Sequence, residues 1–210
     1  MSMPKRLAVL TSHPIHYQAP LWRLLAADPE IELTVFFRSD MGLTPYHDAE
    51  FGKTIQWDLP LIAGYSHAFL KGGLDLLSRL RKGHYDALLV HAWNSPTTWL
   101  AVFAAKLLGI ATMLRAENPW NQEAGRSGWR HELRRIALRT LFILIDRFLY
   151  IGEQNRQFYL HYGVPEQKLS FTPYAIENER FFEEARRLQG RRAGLRAELG
   201  VKDSFCSGTP

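Results

Sequence analysis

Three short segments of the sequence concentrate side chains able to bind a hydroxyl, deprotonate it or hold a phosphate. Ser12-His13-Pro14-Ile15-His16-Tyr17 sets two imidazoles and a phenol around a proline. His91-Ala92-Trp93-Asn94 offers an imidazole that could bind or deprotonate a substrate hydroxyl, and an indole whose face could stack on a sugar ring. Arg115-Ala116-Glu117-Asn118 places a guanidinium, suited to a phosphate or carboxylate, two positions before a carboxylate suited to sugar hydroxyls. On a strand, residues i and i+2 share a face, so both could look into one crevice. Each segment also has a plainer reading. His13 could cap or pack at a proline turn, Trp93 could be core while Asn94-Ser95 caps a helix, and Arg115 with Glu117 could be an ion pair ordering the loop.

The same segments exclude several chemistries. His13 and His16 could ligate a metal, but no third ligand stands at a matching spacing, so no metal site is expected. The absence of glycine between Ser12 and Tyr17 argues against a dinucleotide fingerprint or a phosphate-binding P-loop. The net charge of +5 invites an acidic partner. No zinc finger, ribonucleoprotein signature or recognition helix is present, so nucleic acid is not expected. Much of the charge lies between Arg126 and Arg147, where six arginines against Glu132 and Asp146 leave a local +4. Arg126, Arg130 and Arg134 fall on one helical face, and Trp129, Leu133, Ile136 and Leu144 on another. Such a helix either lies on an anionic membrane or packs with its arginine face in water.

These segments need a frame that gathers them. Hydrophobic residues at 46% and charged residues at 22% describe an ordinary globular chain. The single cysteine, Cys206, forms no internal disulfide and fits a reducing compartment. No secretory signal is expected after the basic Met1–Arg6, and the apolar runs Trp99–Leu114 and Ile136–Ile145 are too short or too interrupted to span a bilayer. Short apolar runs alternate with helical patterns, which predicts an α/β fold: a Rossmann-like open parallel sheet with helices on both faces. Strands are predicted at Leu7–Thr11, Glu32–Phe37, Thr54–Leu59, Asp86–His91, Thr112–Ala116, Phe148–Gly152 and Leu169–Thr172. Helices are predicted at Tyr17–Ala27, with Leu21, Leu24 and Leu25 inward, and at Leu74–Leu80, ended by Gly83. Others run from Ser95-Pro96 to Leu108, closed by Gly109, and over Trp129–Ile145, Glu153–Tyr162 and Glu183–Leu199. Arg38–Gly52 reads as a long loop. Open parallel sheets bind ligands beyond the carboxyl ends of their strands, where all three segments would lie.

Taken in order, these segments resemble a known family. Leu7–Leu25 (LAVLTSHPIHYQAPLWRLL) resembles the opening of family 4 retaining glycosyltransferases of GT-B architecture. So do the strand ending in His91-Ala92-Trp93, Leu114-Arg-Ala-Glu-Asn118 and Phe148-Leu-Tyr-Ile-Gly-Glu153. The stretch Tyr162–Phe181 is similar to the family's exit from its first domain, with Ala175-Ile176-Glu177 and Phe181 at the patterned positions. The resemblance implies that residues 1–182 are the acceptor-binding N-terminal half, and that 183–210 are an exposed helix and a tail leading toward a donor-binding half of about 150 further residues. It implies a nucleotide sugar as co-substrate, with no other cofactor, and a glycan or lipid acceptor. His13, Pro14, His16, Tyr17, His91, Trp93, Asn94, Arg115, Glu117 and Asn118 would bind substrate, with no catalytic residue assigned. The helix N-terminus after His13-Pro14 would help hold the donor phosphate. The donor half would sit on a separate chain or be missing, leaving these residues inactive alone; a freestanding sugar- or lipid-binding module is the alternative. The expected place is the cytoplasm, with contact at the inner membrane face.

Overall fold

The computed structural model describes residues 3–48, 52–55, 57, 59–125 and 127–200. Within them the chain forms two compact units, Met1–Ala175 and Ile176–Pro210. The first holds a seven-stranded sheet. Its strands are β1 (Lys5–Thr11), β2 (Ile31–Phe37), β5 (Ser66–Phe69), β6 (Ala87–His91), β7 (Ala111–Arg115), β8 (Arg147–Tyr150) and β9 (Leu169–Phe171), in the order β5-β2-β1-β6-β7-β8-β9. All pairings are parallel. β3 (Tyr46–Asp48) and β4 (Lys53–Ile55) make a separate antiparallel hairpin.

The first strand is central because it is apolar on both sides. Val9 packs with Trp22, Leu33, Val35 and Phe37, whereas Ala8 and Leu10 pack with Leu88, Val90 and Leu114. Helices cover the two faces unequally. α1 (Ala19–Ala27) lies on the Val9 face. α2 (Gly73–Gly83), α3 (Pro96–Leu107), α4 (Trp129–Ile143) and α5 (Glu153–His161) all contribute to the other core. The reason is handedness. Chain order moves left from β1 to β2 and β5, then rightward from β6 to β9, and right-handed crossovers put the two directions on opposite faces.

Local chemistry sets the boundaries. The Ser95 hydroxyl accepts from Thr98 N at 3.1 Å with Pro96 at the first helical position, and Gly109 closes α3 at φ +71°. α2 ends differently from expectation: Gly83 is its last residue and His84 carries the left-handed conformation at φ +47°.

Other expectations need correcting. Of the expected Thr54–Leu59 strand, residues 56 and 58 lie outside the described residues, and Thr54 and Ile55 belong to β4 of the hairpin, which interrupts the expected Arg38–Gly52 loop; β5 occupies the sheet edge. Leu24 is exposed, because α1 turns Trp22 inward instead. Glu183–Leu199 is not one helix. The second unit comprises α6 (Asn178–Leu188), a 3-10 turn over Gln189–Arg191 and α7 (Arg192–Glu198), all without a buried residue. Arg126 and Cys206 lie outside the described residues.

Candidate functional site

Because every strand of the sheet is parallel, the exits of β1, β6, β7, β8 and β9 share one edge, and the turns before β2 and β7 share the other. At the carboxyl edge β6 and β7 run in register to His91↔Arg115. Just beyond, Ala92 takes φ +62°, a costly conformation for a residue with a Cβ, and its N–H donates to Arg115 O at 2.8 Å. The β7 exit is held by three further bonds. Ala116 N donates to Tyr159 Oη at 3.0 Å, Trp93 Nε1 to Asn118 Oδ1 at 3.0 Å, and Asn155 Nδ2 to Asn118 O at 3.0 Å. A loop fixed this firmly presents Glu117 from a rigid base.

Glu117 is exposed and sits among aromatic hydroxyls. Tyr17 Oη reaches its Oε1 at 3.5 Å, and the Tyr17 ring meets Tyr174 edge-on at 5.4 Å. Burial first, then the neighbouring Glu117 carboxylate, raises the pKa of both Tyr17 and Tyr174, so both stay protonated donors. Arg115 is buried, with its guanidinium 5.2 Å over the Tyr174 ring and 3.5 Å from Pro173 O. Arg115 and Glu117 do not both look into the crevice as expected: Arg115 is buried, and the two residues meet at Tyr174.

The remaining candidates divide. His91 does not present its imidazole to the crevice. Nδ1 lies 3.1 Å from Gln18 Nε2, the ring meets Trp22 edge-on at 5.6 Å, and Nε2 is buried without a protein partner. Burial, reinforced by Arg115, lowers its pKa to about 3, so it is neutral. Trp93 is half-buried, and the Arg134 guanidinium covers its ring at 4.9 Å, which removes that face from sugar stacking. Asn94 is exposed. His13 bonds Ser12 Oγ at 2.9 Å, and burial and then Arg38 lower its pKa. Pro14 is buried, and His16 stacks on Trp57 at 3.8 Å, so 13, 14 and 16 shape the wall near the β2 exit and only Tyr17 reaches Glu117. The start of α1 is a weaker anion seat than expected. Gln18 N and Ala19 N both donate to Ile15 O, and Pro20 has no N–H to offer.

Two contributors were missed. Gln18 flanks the first segment, and Tyr174 follows the exit of β9, where the parallel-sheet rule alone would have placed it. Among the described residues no group of His, Cys, Asp and Glu could hold a metal ion.

The profile of Glycosyltransferase Family 4 matches residues 21–180. The chain belongs to glycosyltransferase family 4. No curated protein matches it. Among solved structures, the family 4 chain is similar to the UDP-N-acetylglucosamine 2-epimerase of Rickettsia bellii, at 13% identity and a TM-score of 0.51, over 96% of this chain and 52% of that one. It is likewise similar to HepE of Anabaena, solved with UDP and glucose, at 9% identity and a TM-score of 0.53, over 82% and 45% respectively. These likenesses show the fold, one Rossmann-like half of the GT-B architecture, and the chain spans about half the length of the structures it matches. No helix among the described residues is long and apolar enough to cross a membrane.

Proposed function

We propose that this family 4 chain supplies the acceptor side of a glycosyl transfer from a nucleotide sugar to a glycan or lipid hydroxyl. The observation that carries the reading is the exposed Glu117 carboxylate held beside Tyr17 at the carboxyl edge of the sheet. An acceptor hydroxyl donates to Glu117 and accepts from Tyr17 or Tyr174, which orients its oxygen toward an incoming anomeric carbon. The acceptor oxygen forms the new bond to that carbon as the bond to the diphosphate oxygen breaks, and the hydroxyl proton leaves with the phosphate or to water. Arg115 acts from behind, through Tyr174 and Pro173. The diphosphate is held by a donor-binding half, so these 210 residues bind acceptor without turnover.

The test uses nucleotide sugars with a panel of glycan and lipid acceptors, reading product formation and acceptor binding separately. The 210 residues are expected to bind at least one acceptor and form no product. Glu117→Ala should weaken that binding about tenfold, the worth of a hydrogen bond to a charged group. Turnover by these residues, or acceptor binding untouched by Glu117→Ala, overturns the reading. Binding that gives no product even with a donor half supplied favours a sugar- or lipid-binding module.

A further inference from the structure

On the side of the sheet covered by α1, three neighbouring residues each carry a buried polar atom without a protein partner. Gln18 and Trp22 stand one helical turn apart, with Trp22 N donating to Gln18 O at 3.0 Å, so their side chains leave α1 on one face. Both reach His91: the Gln18 amide lies 3.1 Å from Nδ1, and the Trp22 ring meets the imidazole edge-on at 5.6 Å. Gln18 is 5% exposed and Trp22 1%. Yet Gln18 Oε1, Trp22 Nε1 and His91 Nε2 are all shut off from solvent with no hydrogen-bond partner in the protein.

The three atoms differ in kind. An indole N–H only donates, an amide oxygen only accepts, and a neutral imidazole has one nitrogen of each sort. His91 is neutral, because burial and then Arg115, its register partner on β7, lower its pKa to about 3. With the Gln18 amide nitrogen donating to Nδ1, the ring proton sits on Nε2, which leaves two donors and one acceptor to satisfy. Turning the amide over makes Gln18 the second donor and His91 the acceptor, so the count is unchanged. Left unpaired, each group gives up its hydration without compensation. An anion accepts from the two donors but lies against the acceptor, and a metal cation meets the positive ends of two N–H groups. What fits is a small neutral group that accepts twice and donates once.

We infer that Gln18, Trp22 and His91 form a binding site for one buried water, which accepts from the Trp22 indole and one further donor and donates to the remaining acceptor. About three hydrogen bonds is the usual complement of a water inside a protein. A sugar hydroxyl offers the same bonds, but would carry its ring in among Val9, Leu89 and Phe37, which pack with Trp22. The water cross-links α1 to the end of β6, one residue along from Tyr17, whose hydroxyl reaches Glu117. It therefore anchors the start of α1 where the crevice begins. The inference stands apart from the transfer reading, since the site lies behind the crevice and takes no substrate.

The experiment is NMR on the isotope-labelled 210-residue chain. Magnetisation from water should reach the Trp22 indole proton, assigned through its contacts with the His91 ring protons, with the sign of a long-held water and not of surface exchange. The transfer should persist in excess methyl glucoside. The imidazole nitrogen shifts of His91 should show one neutral tautomer in large excess. Gln18→Leu should cut that excess about fivefold, the worth of one ordinary hydrogen bond, and weaken the transfer to Trp22. Circular dichroism checks that the variant folds, and the two measurements on the unaltered chain need no variant. No transfer from water to Trp22, or equal populations of the two tautomers, overturns the inference. Transfer that methyl glucoside abolishes assigns the site to a sugar hydroxyl and overturns the water.

Discussion

Arg134 Nη1 lies 2.5 Å from Glu123 Oε2 at a point where the carboxylate side chain is only 3% exposed. Tyr162 Oη donates to the same oxygen at 2.8 Å, and the guanidinium also covers Trp93. One side chain of α4 thus ties together the turn after β7, the end of α5 and the exit of β6.

Arg134→Met should therefore destabilise the chain by about 3 kcal/mol, because it removes a cation from beside a buried carboxylate. Replacing both partners, Glu123→Leu with Arg134→Leu, should recover most of that loss, since the desolvation cost goes with the charges. Urea unfolding of Arg134→Met and of the double variant measures this. Equal losses in Arg134→Met and the double variant would show that the pair contributes through packing alone.

His91 predicts an acid-side loss of stability. Its folded pKa of about 3 lies below the ordinary imidazole value, so the unfolded chain takes up the proton first. The neutral ring's contribution is complete above about pH 6.5 and falls by up to about 1.4 kcal/mol per pH unit between there and pH 3. Urea midpoints at pH 7, 6, 5 and 4 should fall more steeply for the unaltered chain than for His91→Gln. The difference between the two isolates this ring from other titrating groups. Parallel curves would mean that the imidazole charges freely in the folded chain.

His84→Gly should stabilise. The residue ends α2 in the left-handed region, which costs a side chain with a Cβ about 1 kcal/mol and glycine nothing. A gain of that size raises the melting temperature by about 3 °C in a chain of this length. His84→Ala keeps the Cβ and should give no such gain. A melting temperature unchanged by glycine would show that the imidazole's own contacts offset the strain.

Much of this fold is written in periodicity. Strands buried on both faces, such as Ala8–Leu10 and Leu88–Val90, announce themselves as unbroken apolar runs, and Ser95-Pro96 and Gly109 mark α3 without ambiguity. β5 escaped because an edge strand of four residues, Ser-His-Ala-Phe, has neither a run nor an alternation to show. The orientation of α4 was hidden for a different reason. Its wheel carries two apolar sides about 180° apart, and only the company of Phe148, Phe158 and Tyr162 decides that Leu138, Leu141 and Phe142 turn inward. At the crevice, sequence brings the right strand ends together but cannot tell a side chain that faces the crevice from one that supports it. His91 and Glu117 look alike on paper, and the difference is Gln18, supplied from another element.

The strand order has a consequence for synthesis. Of the strands in this sheet β1 is synthesised first, yet it lies inside the sheet, between β2 and β6. β2 follows within one helix and covers one edge, but the partner for the other edge, β6, begins about fifty residues after β2 ends. At roughly 5–20 residues per second, that edge stays open for about 3–10 s. A nascent chain paused anywhere between residues 38 and 86 therefore carries a bare apolar strand edge, ready to pair with the wrong neighbour. That interval is when a chaperone binding near Ala8–Leu10 would protect it most.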